Sequence, residues 1–80
     1  MRLDKYLKVS RLIKRRTIAN EACDAGKISV NGRPAKASYD VKVGDQIEIA
    51  FGLKIKKVEV LDIAEHVQKA GASALYRELN

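Results

Sequence analysis

The sequence holds 80 residues, with 16 Lys+Arg against 10 Asp+Glu and a formal charge of +6. That length predicts one small domain, whose folding hides roughly 60–65% of the surface an unfolded chain exposes. With 46% apolar residues, the chain is expected to fold. A lone cysteine, Cys23, and a lone histidine, His66, speak against a disulfide or a four-ligand zinc site. The charged start Met1-Arg2-Leu3-Asp4-Lys5 does not read as a secretory signal. No apolar run approaches the ~18–20 residues of a membrane span, so a cytoplasmic protein with no cofactor is expected.

Leu3, Tyr6 and Leu7 recur at helical spacing and predict a first helix that ends within 9–14. Asp4 falls in its first turn, where a carboxylate complements the helix dipole. Thr17 is the expected N-cap of a second helix, with Ile18, Ala22 and Ala25 as its apolar positions and Gly26 as its stop. The period then changes to two. Ile28 and Val30 face one way, Lys27 and Ser29 the other, and Asn31-Gly32 is a strong hairpin signal. Pro34 confines the next stretch to an edge or loop. Val43-Gly44-Asp45 marks a second turn, and Gln46-Ile47-Glu48-Ile49-Ala50 alternates as a strand ended by Gly52. Val58 and Val60 continue in a further strand. Ile55 is out of phase with them, through either a bulge at Lys56-Lys57 or a place at the strand end. In the tail, Ser73 to Leu79 reads as two helical turns, with Ser73 as N-cap and Leu75, Tyr76 and Leu79 on one face. Eight residues need packing to hold such a helix.

The charge surplus is one-sided. Residues 1–36 carry a net +7 and residues 37–80 a net −1. An oriented field of this kind suits docking of one face on a polyanion. Arg15, Arg16 and Thr17 stand at the start of the second helix, where unpaired N–H groups and the dipole favour phosphate. Arg guanidinium adds bidentate contacts to phosphate oxygens. Arg2, Lys5, Arg11 and Lys14 flank that corner if the two helices pack together, and Lys8 belongs to the same basic stretch. The hairpin region adds Lys27, Asn31, Arg33 and Lys36, although Asn31 is needed for the turn whatever the function.

Tyr6, Tyr39, Tyr76 and Phe51 are too scattered for a base-stacking platform. Recognition of structured RNA by backbone and shape is therefore favoured. A basic amphipathic stretch over 1–16 also suits anionic lipid, but the hairpin and the alternating strands supply a fold that such a peptide does not need. No phosphate loop or nucleophile elbow is present. His66 has no evident catalytic partner, and Cys23 reads as a small buried residue. A non-enzymatic role is expected.

The segments Arg2-Leu3-Asp4-Lys5-Tyr6-Leu7, Lys14-Arg15-Arg16-Thr17, Gly26-Lys27-Ile28-Ser29-Val30-Asn31-Gly32 and Val43-Gly44-Asp45-Gln46-Ile47 together resemble the S4 RNA-binding domain family. The resemblance is strong over residues 1–51 and weak over 54–80. It implies an α+β, S4-like (alpha-L) fold, with two N-terminal helices packed on a small, mostly antiparallel sheet and a short C-terminal helix. Residues 1–61 form the S4 RNA-binding domain in this reading, and 62–80 a C-terminal extension. The stretch from Lys5 to Thr17 is similar to short stand-alone bacterial members of ribosome-associated quality control. The chain is also similar to a fifteen-kilodalton heat-shock protein that carries an added basic tail.

Such members bind split large (50S) subunits that hold peptidyl-tRNA. They contact 23S rRNA and the tRNA, and they assist C-terminal alanine tailing with an RqcH-type quality-control factor. The alternative is a general rRNA- or tRNA-binding assembly or heat-shock factor. Family binding positions carry over onto Arg2, Asp4, Lys5, Arg11, Lys14, Arg15, Arg16 and Lys27. Asp4 either orients a neighbouring arginine, accepts from a base edge or caps the first helix. A monomer is expected.

Overall fold

The computed structural model describes residues 1–79, without the side chains at positions 69, 70 and 73. Two helices come first, α1 (Leu3–Val9) and α2 (Arg16–Asp24). Strands β1 (Ile28–Val30), β2 (Arg33–Pro34), β3 (Gln46–Phe51) and β4 (Lys54–Val60) follow. A short α3 (Lys69–Ala72), a 3-10 turn (Ser73–Leu75) and strand β5 (Tyr76–Glu78) close the described chain. The strands form one antiparallel sheet in the order β2-β1-β3-β4-β5.

Alternation puts Ile28, Val30, Ile47, Ile49, Val58 and Val60 on the covered sheet face, all buried. Leu3, Tyr6 and Leu7 of α1 and Ala19 and Cys23 of α2 meet them in a single core. Ile13, Ala37, Val41 and Leu75 complete it from the connections. The start of α1 is laced to the loop before β3. Leu3 N–H donates to the Tyr39 carbonyl at 2.8 Å, Asp4 N–H to Ala37 at 3.2 Å, and Val41 N–H to Met1 at 2.8 Å. The first two satisfy helix-start N–H groups that a side-chain cap would otherwise serve, and the third ties the Met1 carbonyl to the same loop.

α1 ends at Ser10, within the expected window, and Arg11 takes a left-handed φ of 61°. Gly26 stops α2 from the C′ position with φ +75°. The Asn31-Gly32 turn has φ values of 53° and 83° and joins β1 to β2 through the pair Val30↔Arg33. Pro34 lies on the edge strand, where its missing N–H costs no ladder bond. β4 pairs with β3 without a bulge, so Ile55 is a strand-end residue opposite Ala50.

Three expectations are corrected. Thr17 is not the N-cap of α2: Arg15 holds that place without a side-chain cap bond, and Thr17 sits exposed in the first turn. The apolar face of α2 is shifted by one residue. Ala19 and Cys23 are buried, while Ile18 is 49% exposed and Ala25 is also exposed. The face that α2 turns into the core thus carries the small residues Ala19 and Cys23, and the larger Ile18 stays at the surface.

The tail is the third correction. Its helical part ends at Leu75, and Tyr76 enters β5, where it pairs with Val60. The open edge of β4 offers backbone partners that outweigh a marginal two-turn helix. The 62–80 extension thus supplies the fifth strand of the same sheet. The expected Ser73 cap rests on a side chain outside those described, and Asn80 also lies outside. Among the described residues, no helix is long and apolar enough to cross a membrane.

Candidate nucleic-acid interface

Asp4 organises the basic corner. Its side chain is 4% exposed and faces two guanidinium groups. Arg2 donates from Nε and Nη2 at 3.2 and 3.3 Å, and Arg16 Nε lies 3.4 Å away. Asn20 Nδ2 donates at 3.3 Å and the Lys5 N–H at 2.8 Å. Burial alone would raise the Asp4 pKa. The hydrogen bonds from Arg2, Asn20, Arg16 and Lys5 outweigh it and hold the carboxyl below its ordinary value. Asp4 therefore stays charged and pins one guanidinium from each side of the α1–α2 junction. Of the three roles open in the sequence, the geometry supports two: Asp4 orients neighbouring arginines, and it accepts the Lys5 N–H in the first turn of α1.

Beside this hub runs a groove of about 650 Å³. One wall is basic, lined by Lys5, Lys8, Arg11, Lys14 and Arg16. Helical spacing brings Lys5 and Lys8 onto one side of α1. The tight exit after Ser10, with Arg11 in the left-handed region, turns the chain so that Lys14 and Arg16 return to the same groove. The other wall is Glu65, His66 and Val67. Lys5 Nζ forms an ion pair with the Glu65 carboxylate across it.

The remaining candidates lie elsewhere. Thr17 lines a small recess with Asp4, Arg16, Asn20 and Glu21. Arg15 is the exposed N-cap of α2 and lines neither hollow. Arg33 and Lys36 border a separate hollow with Asn31, Ser38 and Tyr39. Lys36 and Arg2 border a third, which also includes Asn20 and Cys23. Lys27 is exposed just before β1.

Asn31 is committed to the fold. Its Oδ1 accepts the Gln46 N–H at 3.0 Å, and its Nδ2 donates to Asp45 Oδ1 at 3.1 Å. Asp45 in turn accepts from the Tyr39 hydroxyl and the Lys42 N–H, each at 2.9 Å. Cys23 is buried, and that burial, with the nearby Asp4 and Asp24 charges, pushes its thiol up to about 11. Such a thiol is a poor nucleophile at neutral pH.

Sequence reasoning missed the second wall. Glu65 and His66 are remote from α1 in the chain, and only the strand β5 pairing reveals why they return to it. Leu75, which leads into β5, accepts the Leu61 N–H at 2.9 Å, the Asp62 N–H at 3.2 Å and the Tyr6 hydroxyl at 2.7 Å. Those bonds tie the 61–67 segment to α1.

Residues 1–47, which contain both helices, the basic corner and the Asn31-Gly32 hairpin, match the S4 domain. This chain belongs to the S4 domain family. The RQC P-site tRNA stabilizing factor of Halalkalibacterium halodurans is 58% identical over 76 residues, covering 95% of this chain and 86% of that protein. The factor of the same name from Bacillus subtilis is 54% identical over 76 residues, covering 95% and 88%. In structure, this S4 domain superposes on heat shock protein 15 of Vibrio cholerae, solved as a trimer. The TM-score is 0.91 at 35% identity, over 99% of this chain and 81% of that one. The basic wall of the groove lies inside the S4 match, whereas Glu65, His66 and Val67 lie beyond it.

Proposed function

We propose that this chain is an RNA-binding factor of ribosome-associated quality control. It binds 23S rRNA and peptidyl-tRNA on split large subunits and holds the tRNA in place. It thereby assists C-terminal alanine tailing by an RqcH-type factor. The observation that carries the reading is the groove in which Lys5, Lys8, Arg11, Lys14 and Arg16 converge beside a buried carboxylate that fixes Arg16.

Fixed cations suit the phosphates of a structured RNA, whose backbone is itself fixed. The names of the 54–58% identical relatives supply the target, P-site tRNA. The role is binding, not chemistry, and its place is on the ribosome. The acting species is taken as a monomer, since a net charge of +6 opposes self-association. Arg15, Thr17, Lys27, Arg33 and Lys36 extend the binding face in this reading. Asn31 serves it indirectly by holding the hairpin.

The test is co-sedimentation of the pure protein with three particles: empty large subunits, large subunits carrying peptidyl-tRNA, and whole ribosomes. Preference for the tRNA-bearing subunit is expected. Equal binding to empty subunits would replace the reading with a general rRNA-binding role. Binding to none of the three would overturn it.

A further inference from the structure

The basic groove is not purely basic. Its second wall presents a carboxylate, Glu65, paired with Lys5. That placement is built into the fold. The backbone of Leu61 and Asp62 is bonded to Leu75, the Asp62 side chain accepts the Ile63 N–H at 2.8 Å, and Ile63, Ala64 and Val67 pack against the core. The segment on both sides of Glu65 is therefore anchored, while the Glu65 side chain itself is 65% exposed and can swing aside. The pairing with Lys5 keeps the Glu65 carboxyl below its ordinary pKa, so it is charged at neutral pH. Two of the five groove cations are thus paired with carboxylates of the chain itself, Arg16 with the buried Asp4 and Lys5 with Glu65, and of the two carboxylates only Glu65 is exposed.

We propose that Glu65 is a specificity residue of the groove. It occupies Lys5 as an internal stand-in for phosphate and yields that position only to an RNA that engages the other cations as well. This rests on the RNA-binding reading above and adds the regulation of the same site. A polyanion that meets Lys8, Arg11, Lys14 and Arg16 together gains enough to displace a single exposed carboxylate, because an exposed pair is weak. A loosely held polyanion gains less and must compete with Glu65 for Lys5. The acidic wall lowers indiscriminate binding without lowering the number of cations available to a well-fitted RNA.

The experiment measures binding of purified tRNA and of poly(U) across a salt series, for wild type, Glu65→Gln, Lys5→Ala and the double variant. Glu65→Gln is expected to tighten poly(U) binding about two- to five-fold at low salt, with a smaller change for tRNA. It should steepen the poly(U) log–log salt slope by about 0.7, the contribution of one additional phosphate contact to a single strand. In the Lys5→Ala background the gain should vanish. An equal gain in that background would reduce the effect to net charge and overturn the proposal. Unchanged or weaker poly(U) binding by Glu65→Gln would also overturn it.

The Lys8→Ala/Lys14→Ala double variant separates the two levels. If it loses RNA binding while Glu65→Gln is silent, the groove stands and the gate falls. If it binds RNA like wild type, the groove itself is overturned, and the gate with it.

Discussion

At the scale of single residues, Asp4 shows how a buried charge can serve a binding face. A carboxylate removed from water must be compensated. Here Arg2, Arg16, Asn20 and the Lys5 N–H do so. The folded state holds the Asp4 pKa below the ordinary aspartate value, which is about 3.9 in an unfolded chain. The stabilisation is therefore complete above that value and is lost as pH falls through the lower, folded one.

Asp4→Asn should cost about 1–3 kcal/mol at pH 7, because the arginines lose a charged acceptor. The difference from wild type should stay flat from neutral pH to about pH 5 and shrink below pH 4. Urea denaturation at stepped pH measures this. A difference that persists unchanged at pH 3 would show that the Asp4 charge is not what holds the corner. The sequence placed Asp4 among basic residues but left three roles open, because a separation of two residues from Arg2 and twelve from Arg16 does not say which neighbours it meets. Only the packing of α1 on α2 does.

At the scale of elements, local chemistry was legible and tertiary choice was not. The Asn31-Gly32 turn, the Gly26 stop and the alternation in β1 and β3 followed from φ preferences and period two, which act over a few residues. The phase of α2 did not, because Ile18 is more apolar than Ala19 and yet the tertiary packing buries the smaller residue. The tail likewise depended on β4, sixteen residues upstream of Tyr76 at Val60 and invisible as a partner from local pattern.

The Asn31 side chain joins both levels, since it sets the turn and also binds Gln46 and Asp45. Asn31→Gly keeps the left-handed φ and removes the two bonds, costing about 1–2 kcal/mol. Asn31→Ala also strains the backbone and should cost about 1 kcal/mol more. Thermal or urea unfolding of the two variants gives the order. Equal losses would remove the φ argument, and a silent Asn31→Gly would make the side-chain bonds idle.

At the scale of the whole molecule, the fold gathers five of the ten cations of residues 1–36 into one groove. Lys5 and Lys8 of α1, Arg11 and Lys14 of the connection and Arg16 of α2 supply them, and the turn after Ser10 brings them together. Lys54 is exposed in the β3–β4 hairpin, outside the groove lining, and serves as the control cation. If four or five groove cations each neutralise one phosphate, binding of tRNA should have a log–log salt slope between about −3 and −4.5. Lys8→Ala should weaken binding and make the slope shallower by about 0.7–0.9, whereas Lys54→Ala should change neither. Charge alone cannot produce that contrast, since both substitutions lower the net charge by the same amount. Equal effects from the two would mean that RNA sees the diffuse field of a basic globule, and the groove would lose its claim as the interface. A shallow slope in the wild type, near −1, would mean that nearly all five cations stay hydrated in the complex, and base or shape contacts would then have to carry the affinity.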